Sequence, residues 1–480
     1  MQLGAVTAVA VAMLAGAAIG LRPPAPEPDR AQPNPVATEP TPPADEGERT
    51  TQGARPSPTP RPTDVATPEP EPTDEPDPPP ADLVDDVRAL LEDEEVADVE
   101  ALSVMVTDEA GAVVAEHQAR EAVMPASTNK LVTAAAALHL LGPEYRYVTR
   151  AVATGPIEDG VLDGDLVMVG VGDPALASPT YADEVYPARP HTPIDALAEG
   201  IVDAGVEEIT GAVIGDPGPF ADEPEAAGWR ERYFASLDAT RASGLTVDAG
   251  RRIVERGGGI FGEMAEDPAV VTAEVLHELL DDREVEVGDE ATRGTAPASA
   301  AEIARVQSPP MIDLLGHVVR RSDNHMADAV FRTLGARTGD GTWSGGDVAA
   351  RAALSDLDVD WSGAVLADGS GLSRDDRLSA EMLISVDRAL TQRHGEQWRA
   401  LMAVMGESGT LSSRLRGTPA QGRVTGKTGS LRDARALVAR VDSEGDHVYY
   451  FAVLGAELDP DEIGVVRGLM DDLALRLAEG

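Results

Sequence analysis

Cysteine is absent from the 480 residues. That excludes a disulfide framework, a thiol nucleophile, a zinc–thiolate site and a lipidated N-terminal cysteine. Lysine is nearly absent: of 39 basic residues only Lys130 and Lys427 are lysines, and all the others are arginine. A guanidinium stays protonated, whereas a lysine amine loses its proton when burial or a neighbouring charge lowers its pKa. The two retained lysines therefore mark positions where chemistry could need an amine. Positive charge is also outnumbered, leaving a formal net charge of -45. Such a surface repels nucleic acids and anionic lipid headgroups, so neither is expected as a partner. Hydrophobic residues still make up 42% of the chain, enough for a sizeable core.

Three segments differ in texture. Leu3 to Leu21 is an apolar run of 19 residues, about 28 Å as a helix and just long enough to span a bilayer. Residues 1–22 are expected to be a signal peptide or membrane anchor, the only link to a membrane. Pro23 to Pro80 holds 20 of the 37 prolines and no aromatic residue. It cannot bury enough apolar surface to fold and reads as a disordered linker over 23–80. Folding is expected from Ala81 onwards. Leu83, Val84, Val87, Leu90 and Leu91 share a helical face behind Asp82, a candidate cap.

Strand signals come from both ends of the folded part. Leu102–Thr107 and Ala112–Ala115 flank Asp108-Glu109-Ala110-Gly111, and Ala434–Val441 and His447–Leu454 flank Ser443-Glu444-Gly445-Asp446. Both read as hairpins, and Ile463–Leu477 reads as a final amphipathic helix. The prediction is an α+β fold with an antiparallel sheet closed by both chain ends and flanked by helices. Residues 142–297 alternate short apolar stretches with Gly, Asp and Pro, and are expected to form a mostly β insertion. The folded unit would then be 81–141 joined with 298–480.

Three short motifs carry chemistry, in order. Ser127-Thr128-Asn129-Lys130 opens an Ala/Leu-rich helix. Residues three apart share a helical face, so the amine can reach the hydroxyl and serve as its base if its pKa falls toward neutrality. Ser322-Asp323-Asn324 follows an amphipathic stretch, and on a loop its Ser and Asn can both point into one cleft. Lys427-Thr428-Gly429-Ser430 enters the C-terminal strands, where an amine and a hydroxyl can grip a carboxylate and a glycine allows close approach to the strand. Singly, each reads equally well as a helix cap or a turn. Together, in order, they hold both lysines of the chain.

Ser-x-x-Lys, Ser-Asp-Asn and Lys-Thr-Gly are the signature of penicillin-recognising serine enzymes. The chain from Ala81 to Gly480 resembles the D-alanyl-D-alanine carboxypeptidase/endopeptidase family, the class C low-molecular-mass penicillin-binding proteins. Gly172-Asp173-Pro174, Ser243-Gly244-Leu245 and Asp368-Gly369-Ser370-Gly371 add to the likeness, as does the separation of 195 positions from Ser127 to Ser322. The resemblance implies a β-lactamase/penicillin-binding-protein-like fold without cofactor or metal. It makes Ser127 the acylated nucleophile, Lys130 its base and Ser322 a relay to the leaving amine. Asn324, Lys427, Thr428, Gly429 and Ser430 would bind substrate, and Lys427 would lower the pKa of Lys130 by like charge. Peptidoglycan stem peptides and β-lactams would be the partners, and the location extracytoplasmic. Arg432-Asp433-Ala434-Arg435, after the third motif, is more charged than the family leads one to expect. A β-lactamase or esterase on the same scaffold, or a catalytically silent wall-binding protein, are the competing readings.

Overall fold

The computed structural model describes residues 78–480. The apolar run and nearly all of the proline-rich stretch lie outside the described residues. One six-stranded antiparallel sheet dominates the part that carries the motifs. Its order is Ala403–Val404, Val424–Leu431, Ala434–Asp442, Val448–Gly455, Leu102–Asp108, Val113–His117. Leu102 lies opposite Gly455 and Asp108 opposite Tyr449, so the sheet is completed by strands from both ends of the folded chain. The first hairpin turns where Asp108 accepts the amides of Gly111 and Ala112 at 2.8 Å each, with Gly111 at φ +93°. A side chain at that φ would be strained, which is why glycine serves there.

Both faces of this sheet are buried, and its strands are accordingly apolar on alternate and intervening positions alike. Leu437, Ala439, Val441, Phe451 and Val453 join one core, and Ala436, Val438, Tyr450, Ala452 and Leu454 the other. The terminal helices Ala81–Leu91 and Glu462–Glu479 cover the first face. Pro80, not Asp82, occupies the cap position of the first helix; Asp82 sits inside the first turn, where its charge complements the helix dipole instead. A helical layer covers the second face, built from Lys130–Leu140, Met311–Arg321, Asn324–Thr338, Trp343–Ala353 and Ala380–His394. Lys130 to Leu138 are all buried. A helix that is apolar on every side belongs in a core, and its run Ala134–Ala137 lets neighbouring helices approach closely.

The insertion forms a second sheet of seven strands. Glu208–Asp216 is central and pairs in parallel with Leu166–Val169, Val161–Leu162 and Glu286–Arg293. Parallel neighbours need crossover connections, which the helices Ile194–Asp203 and Pro268–Asp281 supply while burying Leu197, Ile201 and Leu276 against Leu166, Ile209 and Val213. The insertion is thus more helical than its Gly/Asp/Pro texture suggested. Its sheet also continues past residue 297, because Ala301–Gln307 pairs with Val148–Ala153. A small hairpin, Arg251–Arg256 with Gly259–Met264, turns at Gly257-Gly258. Among the described residues no helix is long and apolar enough to cross a membrane.

Candidate active site

Ser127 sits in a single 3₁₀ turn, Ala126–Asn129, that leads straight into the helix Lys130–Leu140. Neither Ser127 nor Thr128 caps that helix: Thr128 Oγ1 donates back to the Pro125 carbonyl at 2.7 Å, and the Ser127 hydroxyl faces Lys130. The turn is held from outside. Asn129 Nδ2 donates to the Asp368 carbonyl, and Thr133 Oγ1 to that of Gly369, both at 2.8 Å. A Cβ on Gly371 (φ +80°) would lie 1.9 Å from the Ala126 carbonyl oxygen, so only glycine lets this loop close on the nucleophile turn.

The Lys130 ammonium nitrogen makes three contacts: Ser127 Oγ at 3.0 Å, Asn324 Oδ1 at 2.8 Å and the Ser370 carbonyl at 2.6 Å. Lys130 is fully buried. Burial lowers its pKa to about 8, against the opposing pull of Asp328, Asp368, Asp323 and Asp376. Of the two causes the sequence left open, burial and a neighbouring cation, desolvation leads, and Lys427 is not among the leading causes. Asp328 and Asp376 are themselves pushed well above the carboxylate range by burial and by the charge of Asp368.

Ser322-Asp323-Asn324 is not a free loop. It is the joint between the helices Met311–Arg321 and Asn324–Thr338. Ser322 takes the left-handed conformation (φ +62°) that ends the first helix, and Asp323 caps the second by accepting the Met326 amide at 2.9 Å. Ser322 Oγ and Asn324 Oδ1 consequently meet different lysines: Lys427 Nζ donates to Ser322 Oγ at 3.0 Å, and Lys130 to Asn324. Asp323 points the other way, to Arg189 at 2.8 Å and His317 at 3.2 Å; the Arg189 charge and the His317 hydrogen bond hold its carboxyl well below the usual range despite burial.

Lys427 is equally buried. Desolvation first, and the charge of Lys130 second, put its pKa well below the ordinary lysine value. Besides Ser322 it contacts the Thr428 carbonyl at 2.7 Å, and Thr428 Oγ1 meets Thr410 Oγ1 at 2.8 Å. Gly429 permits the strand to pass the nucleophile turn: a Cβ there would be 2.8 Å from the Pro125 carbonyl oxygen. Ser430 lies in the same strand, opposite Arg435. In the charged stretch beyond it, Asp433 accepts from both terminal guanidinium nitrogens of Arg374 at 2.6 and 2.7 Å.

Three residues that the sequence did not single out come from the insertion. Asn324 Nδ2 donates to the Asp238 carbonyl at 2.9 Å, Trp229 Nε1 to Asp368 Oδ2 at 2.7 Å, and Arg189 to Asp323. The insertion therefore touches the second motif and the glycine-rich loop directly.

The sequence pattern of the D-Ala-D-Ala carboxypeptidase 3 (S13) family matches residues 83–266 and 262–477. The chain belongs to this family. It is 30% identical over 466 residues to a D-alanyl-D-alanine carboxypeptidase of Actinomadura sp., covering 83% of this chain and 85% of that one. It is 33% identical to a carboxypeptidase of Mycobacterium tuberculosis, covering 74% and 75%. The crystal structure of penicillin binding protein 4 from Haemophilus influenzae superposes with a TM-score of 0.68 at 19% identity, over 81% of this chain and 99% of that one. This member of the S13 family thus has the expected penicillin-binding-protein fold.

Proposed function

We propose that the protein is an exported serine-type D-Ala-D-Ala carboxypeptidase that trims peptidoglycan stem peptides and is acylated by β-lactams. The observation that carries this reading is the contact between a buried amine with a pKa near 8 and the Ser127 hydroxyl. A serine hydroxyl is a poor nucleophile until a base takes its proton. A base whose pKa lies close to working pH does so efficiently.

In this reading Ser127 Oγ attacks the carbonyl of the penultimate D-Ala while Lys130 Nζ accepts its proton. Asn324 orients the amine through Oδ1. Lys427, Thr428 and Thr410 grip the terminal carboxylate, beside Gly429 and Ser430 on the strand. The C–N bond breaks as Ser322, hydrogen-bonded to Lys427, passes its proton to the leaving nitrogen and is reprotonated by the proton that Lys130 took from Ser127, which returns the amine to its neutral form. Water then hydrolyses the ester, giving its hydroxyl to the carbonyl carbon and a proton back to Ser127. The same residues can act on a terminal D-Ala or on a cross-link, since both present an amide after a D-Ala carbonyl. In this reading residues 1–22 are the signal peptide or anchor, 23–80 a spacer, and the insertion an accessory part braced against the peptidase.

The test is fluorescent penicillin labelling of the protein and of Ser127→Ala, together with release of D-Ala from a D-Ala-D-Ala peptide. The expected result is a covalent label and D-Ala release that both vanish in the variant. Folded protein that takes no label at either low or high salt would sink the acyl-enzyme reading.

A further inference from the structure

A cavity of about 460 Å³ opens between the insertion and the Ser322–Asn324 joint, within the range of small-ligand sites. Ser322 and Asn324 line it, whereas Ser127, Lys427 and Thr428 do not. It is reached from the proton-relay serine yet lies outside the carboxylate grip, so a departing D-Ala leaves it unused.

Its walls gather cationic side chains. In a protein of net charge -45, three arginines line one cavity: Arg189, Arg251 and Arg321. Of the two carboxylates on its walls, Asp323 is already taken by Arg189 and His317, and Asp238 accepts the Ser236 hydroxyl. Among the described residues Arg251 and Arg321 form no ion pair within 4.0 Å. Three buried nitrogen atoms on these walls also have no hydrogen-bond partner among the described residues: Arg189 Nη1, Arg251 Nε and His325 Nδ1. Arg189 is 4% exposed, so its spare N–H is an unpaired donor inside the protein. Buried unpaired donors are costly unless something accepts from them, and paired guanidinium N–H groups suit a carboxylate.

We infer that this cavity is a carboxylate subsite for the leaving half of a cross-linked peptide, held by Arg189, Arg251 and Arg321. The inference rests on the D-Ala-D-Ala peptidase reading and extends it to cross-link cleavage. In a cross-link the leaving nitrogen belongs to a second peptide that carries carboxylates of its own. The chemistry is unchanged: the Ser127 Oγ–carbonyl bond forms, the C–N bond breaks, and the nitrogen departs with the relayed proton. What the cavity adds is binding energy for the part that leaves. Arg189 and Arg251 belong to the insertion, which would give that segment a role in substrate choice.

The experiment compares kcat/KM on three substrates: a monomeric D-Ala-D-Ala peptide, a cross-linked dimer, and the dimer with its leaving-half carboxylates amidated. The proteins are the full chain and its Arg251→Ala, Arg321→Ala and double variants, which spare the buried Arg189–Asp323 pair. Losing charge-assisted hydrogen bonds should lower dimer cleavage at least about tenfold in the double variant and leave the monomer within about twofold. Amidation should cost the unaltered protein a similar factor, which tests the idea without any folding risk. An equal fall on monomer and dimer, or indifference to amidation, overturns the subsite. D-Ala release without any dimer cleavage also overturns it while leaving the carboxypeptidase intact; loss of both activities would strike the underlying reading instead.

Discussion

Lys130 and Lys427 are the chain's two lysines, both fully buried, both touching a serine of the motifs, yet they stand in different electrostatic company. Around Lys130 lie four aspartates and three hydrogen-bond acceptors, and the resulting pKa is about 8. Around Lys427 no carboxylate opposes desolvation, and its neighbour's charge adds to the lowering. The difference suits two tasks. A base should hold and release a proton near neutrality. A carboxylate grip gains by meeting its counter-charge only when the ligand arrives, because an isolated buried charge is costly and a paired one much less so.

The sharpest way to break this comparison is to make the base permanently cationic. Lys130→Arg keeps a positive charge but cannot accept the Ser127 proton, so penicillin acylation should fall by about 10²–10⁴-fold, the usual worth of general base catalysis. Stopped-flow or gel-based labelling measures it, and retention of near-parental rate would reassign the base. At Lys427 the effect should be smaller and differently distributed. Lys427→Ala should raise KM for a D-Ala-D-Ala peptide and lower kcat/KM about 10–100-fold, the loss of a charge-assisted bond to the carboxylate. A peptide with an amidated C-terminus should hardly register the change.

Two milder substitutions sharpen the comparison by separating support from chemistry. Trp229→Phe removes the indole donor to Asp368, the carboxylate that also accepts the Ser370, Gly371 and Ser373 amides. Denaturant unfolding should show a loss of about 1–3 kcal/mol, with the acylation pH profile unmoved. The smallest effect belongs to a surface pair. Arg120, largely exposed, meets Glu381 at 3.0 Å; replacing either with Ala should cost under about 1 kcal/mol, and less in salt.

The two sheets differ in how far the sequence announces them. Both hairpins of the motif-bearing sheet were legible, because each pairs contiguous apolar runs across a turn and because sequence neighbours become spatial neighbours. The second sheet was legible only as a mostly β texture over 142–297, not in its strand order or its short and exposed strands. Val161–Leu162 and Ile157–Glu158 are two residues long, and Glu286–Arg293 is largely exposed, so neither length nor alternation marks them. Its parallel pairs depend on helices placed between strands. The site shows the same divide. Ser127, Lys130, Ser322, Asn324, Lys427 and Thr428 stand in local patterns whose spacing already implies geometry. Asp328, Trp229, Asp238 and Arg189 reach the site only through tertiary folding, across as many as 139 residues in the Trp229–Asp368 contact and 134 in the Arg189 pair. Nothing in their own neighbourhoods distinguishes them from ordinary helix or loop residues. Which of burial and a neighbouring cation would dominate the Lys130 shift was open for a related reason: motifs name charges, whereas burial is a property of the whole core.

The most direct test of the central claim, that Lys130 serves as a buried neutral base for Ser127, is the pH dependence of acylation by a penicillin. A lysine with a pKa near 8 gains base character as pH rises and its proton leaves. The second-order rate should therefore climb tenfold per pH unit below about pH 7 and level off above about 8. A rate that stays flat from pH 6 to pH 9, or a limb that sits near the ordinary lysine pKa of about 10.4, would contradict the account.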